Sequence, residues 1–232
     1  WAPISRGEST LLMAPTGSGK TLAAFLFALD RLMFGPKASN AGVRVLYISP
    51  IKALANDIER NLLGPLEEIK ARYLPDRAKE IRVGLRTGDT SQSDRQKMLR
   101  KPPHILITTP ESMAIAVGSS RFQPIVSRVK WMIIDELHSL VPTKRGVHLS
   151  LTLSFLDTLL KDPVQRIGIS ATMEPLDTVA EYLVASDDRE SRGEDQRIMV
   201  AKISGSRELD LDILITHPRF ADRSVAQTLE AN

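Results

Sequence analysis

The stretch Ala14-Pro15-Thr16-Gly17-Ser18-Gly19-Lys20-Thr21 constrains this chain more than any other. A short apolar run, Thr10 to Met13, precedes it, and an apolar segment of helical composition, Leu22 to Met33, follows. Strand, glycine-rich turn and helix N-terminus in that order make a cradle for phosphate. The N–H groups of the turn point inward, and the helix dipole adds about half a positive charge where an anion sits. In such a cradle Thr16, Gly17, Ser18 and Gly19 surround the phosphates, Lys20 reaches the β- and γ-phosphates, and the Thr21 hydroxyl holds Mg2+. Ala14 stands where the pattern usually opens with glycine, and a tight turn accepts a residue that small. The same residues could make an ordinary strand–helix turn, but Gly-x-Gly-Lys-Thr in this setting favours a nucleotide-binding P-loop.

Short apolar runs alternate with longer helical patterns along the rest of the chain, which predicts βαβ units on a mostly parallel sheet with helices on both faces. Strands are expected over Val43 to Ile48, Ile81 to Arg86, Ile105 to Thr108, Val129 to Ile134, Arg166 to Ile169 and Ile198 to Ile203. Helices are expected over Ala53 to Leu63, Leu66 to Tyr73, Ser91 to Leu99, Val147 to Leu160 and Leu176 to Val184, with Pro110 in the first turn of another. Ser186 to Gln196 is charged and reads as a surface loop. Leu209 to Ile215 alternates apolar and polar residues and reads as the start of something further.

A P-loop alone binds nucleotide; hydrolysis needs a water activator and a second magnesium ligand. Trp131-Met132-Ile133-Ile134-Asp135-Glu136 supplies both. An apolar strand carries Asp135 to the sheet edge that also presents the P-loop. From there Asp135 reaches Mg2+, and Glu136 orients and deprotonates the attacking water. An acidic pair after a strand can also be just a favourably charged helix N-terminus; downstream of a complete P-loop the catalytic reading is the stronger. The catalytic set is then Lys20, Asp135 and Glu136.

With Asp135-Glu136-Leu137-His138 the chain resembles motif II of the DExH branch of superfamily 2 helicases. Other stretches fall in that family's order. Ser49-Pro50-Ile51-Lys52-Ala53-Leu54-Ala55-Asn56-Asp57 resembles motif Ia, and Thr87-Gly88-Asp89 the motif after the third strand. Thr109-Pro110-Glu111-Ser112 resembles motif Ib, and Ser170-Ala171-Thr172 matches motif III. The wording of 107–112 and of 144–149 is similar to the large helicase-related (Lhr) family. The likeness runs from Pro3 to about Arg207. It implies a RecA-like P-loop NTPase lobe over 1–205, with 206–232 a linker or the start of a second lobe.

The resemblance also implies roles. ATP and Mg2+ are the expected cofactors. His138, Ser170 and Thr172 would couple hydrolysis to strand movement. Lys52, Gly88, Asp89, Thr109 and Ser112 would contact the sugar-phosphate backbone of single-stranded DNA or RNA, on the face opposite the ATP. Read by themselves, Thr87-Gly88-Asp89 could be only a turn, Thr109-Pro110 only a helix start, and Arg145 a solvated loop charge. Members of the family close ATP between two RecA-like lobes, the second supplying an arginine finger worth about 10³ to 10⁵ in rate. The family's adenine-reading glutamine would fall just before Trp1. The expectation is a lobe that turns over poorly by itself.

Composition adds exclusions. The 232 residues contain no Cys, so there is neither a disulfide framework nor a thiolate zinc site, which suits a cytoplasmic chain. His104, His138, His148 and His217 lack metal-ligand spacing, and no apolar run reaches the roughly 18 residues of a membrane span. A net charge of +3 permits a polyanion partner without demanding one. Three functions fit these residues: a nucleic-acid helicase or translocase, an ATP-switched binding or remodelling module that never unwinds, and a P-loop ATPase unrelated to nucleic acid. The last leaves motifs Ia, Ib and III unexplained.

Overall fold

The computed structural model describes residues 2–15, 18–35, 42–51, 62, 64, 66–68, 71–72, 81–171, 175–183 and 198–202. All but Leu62 of the expected helix over Ala53 to Leu63, the charged stretch from Ser186 to Gln196 and the alternating segment from Leu209 lie outside them, as do Thr16, Gly17, Lys52 and Thr172; in the expected helix over Leu66 to Tyr73, residues 66–68 and 71–72 are described and helical.

Short strands of β-branched and aliphatic residues form the sheet: β1 (Thr10–Met13), β2 (Val45–Ile48), β3 (Val83–Arg86), β4 (Ile105–Thr108), β5 (Trp131–Ile134), β6 (Gln165–Ser170) and β7 (Met199–Lys202). They line up in the order β3-β4-β2-β5-β6-β1-β7, each pairing parallel. Parallel neighbours require crossovers that place helices on the faces, so the central strands are covered on both sides and read as unbroken apolar runs.

The period of two along each strand divides the core. On one face Val45, Tyr47, Ile105, Ile107 and Ile133 pack with Phe25 and Leu29 of α2 (Lys20–Phe34). On the other, Leu46, Ile48, Leu106, Met132 and Ile134 meet α4 (Pro110–Val117), α5 (Gln123–Val126) and α7 (Lys144–Leu159). Further helices are α1 (Ala2–Ser5), α3 (Gln92–Arg100), α6 (Leu137–Leu140) and α8 (Leu176–Leu183). Side-chain caps start α3 and α7: Ser91 accepts from Asp94 N–H, and Thr143 from Gly146 N–H. The Thr143 cap opens α7 three residues before the apolar pattern begins.

Glycine at position 168 lets two helices pack close to the sheet. A Cβ there would lie 2.5 Å from Leu137 Cδ1 and 2.6 Å from Leu183 Cδ1, so the leucines that seat α6 and α8 on β6 would have to shift to admit a larger residue. Arg166 ties the same region together. Its guanidinium makes a two-pronged ion pair with Asp157 of α7 and donates to the Leu183 carbonyl at 2.8 Å. No helix among the described residues is long and apolar enough to cross a membrane.

Candidate nucleotide site

Register decides which motifs meet. Met13 stands opposite Ser170, and Ile48 opposite both Ile134 and Thr108, so the segments after these strands emerge together at the C-terminal edge of the sheet. The strand order then divides that edge. The ends of β1, β5 and β6 carry the P-loop, Asp135-Glu136 and Ser170; the ends of β2, β3 and β4 carry the Ser49-Pro50, Thr87-Gly88-Asp89 and Thr109-Pro110 segments. The two sets are separated along one edge rather than across the sheet.

In the P-loop, Gly19 adopts φ +80°, a left-handed conformation open to glycine at little cost, and caps α2 without a side chain. The first N–H groups of α2 are therefore left to face the turn. Ser18 and Gly19 are exposed, Lys20 and Thr21 half-buried. Lys20 folds back over the turn: its Nζ donates to the Ala14 carbonyl and, at 3.2 Å, to that of Pro15.

Across from it Asp135 is 5% exposed. The Tyr47 hydroxyl donates to one carboxylate oxygen, and the Glu136 N–H to the other at 2.8 Å. Burial holds the Asp135 carboxyl above the ordinary carboxylate range, against the pull of the Tyr47 and Glu136 hydrogen bonds and of the Lys20 charge. Burial, reinforced by the Asp135 charge, pushes the Tyr47 phenol far up, so it is a permanent donor.

Glu136 is the one non-glycine residue with positive φ among the described residues, at +52°. That strained backbone turns the chain out of β5 and into α6. Its Oε2 lies 3.0 Å from His138 Nε2. The other ring nitrogen, Nδ1, accepts from the Ala171 N–H at 3.1 Å and faces the Ser170 hydroxyl at 3.5 Å. A backbone N–H can only donate, so Nδ1 carries the lone pair and Nε2 the proton it presents to Glu136. His138 thus bridges the acidic pair after β5 and the segment after β6.

The residues with an expected nucleic-acid role fall differently. Gly88 and Asp89 are exposed on a turn after β3. Thr109 and Ser112 are 3% and 7% exposed. The Thr109 hydroxyl caps α4, accepting from Ser112 N–H at 3.4 Å and donating to Ser112 Oγ at 3.1 Å. A helix start is what their geometry shows. Arg145 is no loosely solvated loop charge: from the first turn of α7 it donates to Glu111 Oε1 at 2.6 Å and to the Pro50 carbonyl at 2.8 Å. It joins the segments after β2 and β4 to the helix that follows the acidic pair.

Tyr47 and Arg145 are the connections that sequence reasoning missed. Tyr47 left one signal: a phenol inside a buried strand needs a hydrogen-bond partner. Arg145 left none, because its partners come from two other motifs.

A P-loop, a buried aspartate and a glutamate on one edge of a parallel sheet define a RecA-like nucleotide-binding domain. The DEAD/DEAH box helicase family matches residues 1–181, and the chain belongs to that family. Within it the similarity is to Lhr helicases. The chain is 50% identical over 187 residues to the Lhr helicase/probable uracil glycosylase of Mycolicibacterium smegmatis, covering 79% of this chain and 12% of that protein. It is 46% identical over 214 residues to the ATP-dependent helicase Lhr-Core of Methanothermobacter thermautotrophicus, covering 91% and 24%. The structure of the Mycobacterium smegmatis helicase Lhr bound to ssDNA and AMP-PNP superposes with a TM-score of 0.77 at 43% identity, covering 90% of this chain and 26% of that one. The chain thus spans between 12% and 26% of the length of these relatives.

Proposed function

We propose that this chain is the ATP-binding lobe, over 1–205, of an ATP-dependent nucleic-acid helicase or translocase. One observation carries the reading: Lys20 lies at the half of the sheet edge that holds the P-loop, and Asp135, Glu136, His138 and Ser170 converge there, linked by a path of hydrogen bonds from Tyr47 to Ala171. In this reading Lys20 leaves its carbonyls for the β- and γ-phosphates, joined by the N–H groups at the start of α2. Glu136, its carboxylate oriented by His138 Nε2–H, accepts a proton from the attacking water. Because His138 also accepts from Ala171 N–H, a shift of the Ser170–Thr172 segment moves the base, which couples hydrolysis to strand movement.

The donor set fits magnesium: a hydroxyl at Thr21 and a buried carboxylate at Asp135 are hard oxygen ligands, and Asp135 has no basic side chain bonded to it among the described residues. When bound, the ion neutralises charge on the β- and γ-phosphates. Lys52, Gly88, Asp89, Thr109 and Ser112 serve single-stranded DNA or RNA, the last four from the other half of the edge. A second RecA-like lobe completes the ATP site. The Lhr relative bound to ssDNA and AMP-PNP supports the nucleotide and single-stranded DNA assignments.

The test is steady-state ATPase of the full-length protein without polynucleotide, with single-stranded DNA and with single-stranded RNA, beside Glu136→Gln. Stimulation by a polynucleotide, reduced about 10²- to 10⁴-fold in the variant, is expected. Activity indifferent to both polymers refutes the reading.

A further inference from the structure

One guanidinium ties together the segments that leave β2 and β4. Arg145 stands in the first turn of α7, donating from Nε to Glu111 Oε1 at 2.6 Å and from Nη2 to the Pro50 carbonyl at 2.8 Å. Glu111 lies between Thr109 and Ser112 at the start of α4, and Pro50 stands two residues before Lys52. Both members of the ion pair are about half exposed, so the pair adds little to stability. Its geometry matters more. A guanidinium presents its donors in a rigid planar fork, so bonding a carboxylate and a carbonyl at once fixes the distance between them.

The turn that carries Arg145 is itself seated by the helices that follow the nucleotide motifs. The Thr143 hydroxyl donates to the Leu140 carbonyl at 2.8 Å and accepts from the Gly146 N–H at 3.3 Å. A Cβ at Gly146 would collide with the Leu140 carbonyl, so the missing side chain lets α7 start against the end of α6. From another side, the Tyr182 hydroxyl of α8 donates to the Gly146 carbonyl at 2.6 Å. Helix α6 carries His138, and α8 follows the Ser170 segment. Two adjacent residues therefore face opposite ways along the edge. Gly146 meets the helices behind the nucleotide half, and Arg145 reaches the segments of the other half.

We propose that Arg145 is a positioning residue for the polynucleotide, setting the spacing of the segments after β2 and β4 and shifting them when α6 and α8 shift. The inference deepens the nucleic-acid reading and rests on it. Contacts to a sugar-phosphate backbone fix register, and two segments hold one strand together only at a matching spacing. A lysine in this place would keep the charge but not the fork, because an ammonium is a point charge on a flexible stem. That difference separates positioning from a direct contact between Arg145 and a phosphate.

The experiment follows ATPase of the full-length protein against single-stranded oligonucleotide concentration, for wild type, Arg145→Lys, Arg145→Gln and Tyr182→Phe. A salt titration of oligonucleotide binding, read by fluorescence anisotropy, runs beside it. In both Arg145 variants the oligonucleotide concentration for half-maximal stimulation should rise about tenfold, the weight of one hydrogen bond from a charged group. The KM for ATP and the oligonucleotide-free rate should stay at the wild-type level. The slope of log K against log salt should also stay, because no phosphate contact has been removed. Tyr182→Phe keeps the ring and the fork but frees α8 from Gly146, and should lower the maximal stimulated rate about fivefold, the weight of one neutral hydrogen bond. Wild-type maximal stimulation in folded Tyr182→Phe would overturn the transmission from α8. A slope lower by about 0.7 in Arg145→Gln and restored in Arg145→Lys would make Arg145 a phosphate contact and overturn the positioning role. An oligonucleotide-free rate falling in proportion to the stimulated one would make the residue purely structural and overturn it too. Wild-type half-maximal concentrations in both Arg145 variants would overturn it while leaving the helicase reading intact. Absence of stimulation of wild type by any polynucleotide would instead refute that reading.

Discussion

Removing one oxygen atom, in Tyr47→Phe, tests how Asp135 is held. Tyr47 is fully buried, and its ring stacks on Phe25 at 5.3 Å between centroids and 26° between planes, so phenylalanine preserves the packing and deletes only the hydroxyl. What is lost is the donor to one Asp135 carboxylate oxygen; the Glu136 N–H keeps the other. A hydrogen bond to a charged group is worth about 1.5–3 kcal/mol, which is about 10- to 150-fold in an equilibrium that depends on the orientation of that carboxylate. Partners that orient a metal ligand carry a similar weight, about 10- to 100-fold in metal affinity. The half-saturating Mg2+ for ATP hydrolysis should rise by about that factor, and Mn2+ binding followed by electron paramagnetic resonance should weaken in parallel. Far-UV circular dichroism should stay the same. A variant that folds and keeps the wild-type Mg2+ and Mn2+ dependence would show that Asp135 needs no such support, and the argument from Tyr47 would fail.

The remaining expectations concern the coupling and the frame. His138→Ala frees both the Glu136 carboxylate and the Ala171 N–H; polynucleotide-stimulated turnover should drop about 10- to 150-fold with nucleotide binding retained, measured by ATPase and by titration with a fluorescent nucleotide. Asp157→Ala strands the Arg166 guanidinium, whose side chain is 7% exposed, and should cost about 3–5 kcal/mol, lowering the thermal midpoint by about 6–20 °C. Glu111→Gln breaks the bond to Arg145 between side chains 50% and 46% exposed, so at pH 7 it should cost no more than about 1 kcal/mol in denaturant titration. Burial works against the Glu111 charge, but the Arg145 bond, its own N–H and the Thr109 hydroxyl outweigh it and hold the carboxyl below its ordinary range. A depressed carboxylate stabilises above its unfolded value and loses that contribution as pH falls through the folded one, so the difference between Glu111→Gln and wild type should close below about pH 4.

Much of this protein could be read from residues adjacent in sequence. The P-loop is a local device: Gly19, Lys20 and Thr21 act through backbone conformation and a helix end that immediate neighbours specify. Asp135-Glu136 is local in the same way, an acidic pair delivered by an apolar strand. Pro110 at the first turn of α4 and the short, unbroken apolar strands follow from steric and solvation rules that need no tertiary information. Those rules predict the parallel α/β class, and the motif order adds the family.

Tertiary structure decided what those local devices touch. Tyr47 and Asp135 are 88 residues apart, Arg145 and Pro50 95 apart, and nothing in either neighbourhood announces the other. They meet because the register of β2 against β5 and the seating of α7 on the sheet bring distant strand ends within hydrogen-bond reach. Thr109 and Ser112, read as possible phosphate contacts, bond to each other in a helix cap, while Arg86, unremarkable in the sequence, is buried with its guanidinium over the Phe122 ring. The amino-acid sequence by itself determines which chemistry is carried and at which strand ends, because turns, caps and strand alternation are short-range. Which charges are answered, which hydroxyls are already occupied and which donors remain open depends on burial and on partners far along the chain, and only the assembled sheet sets those.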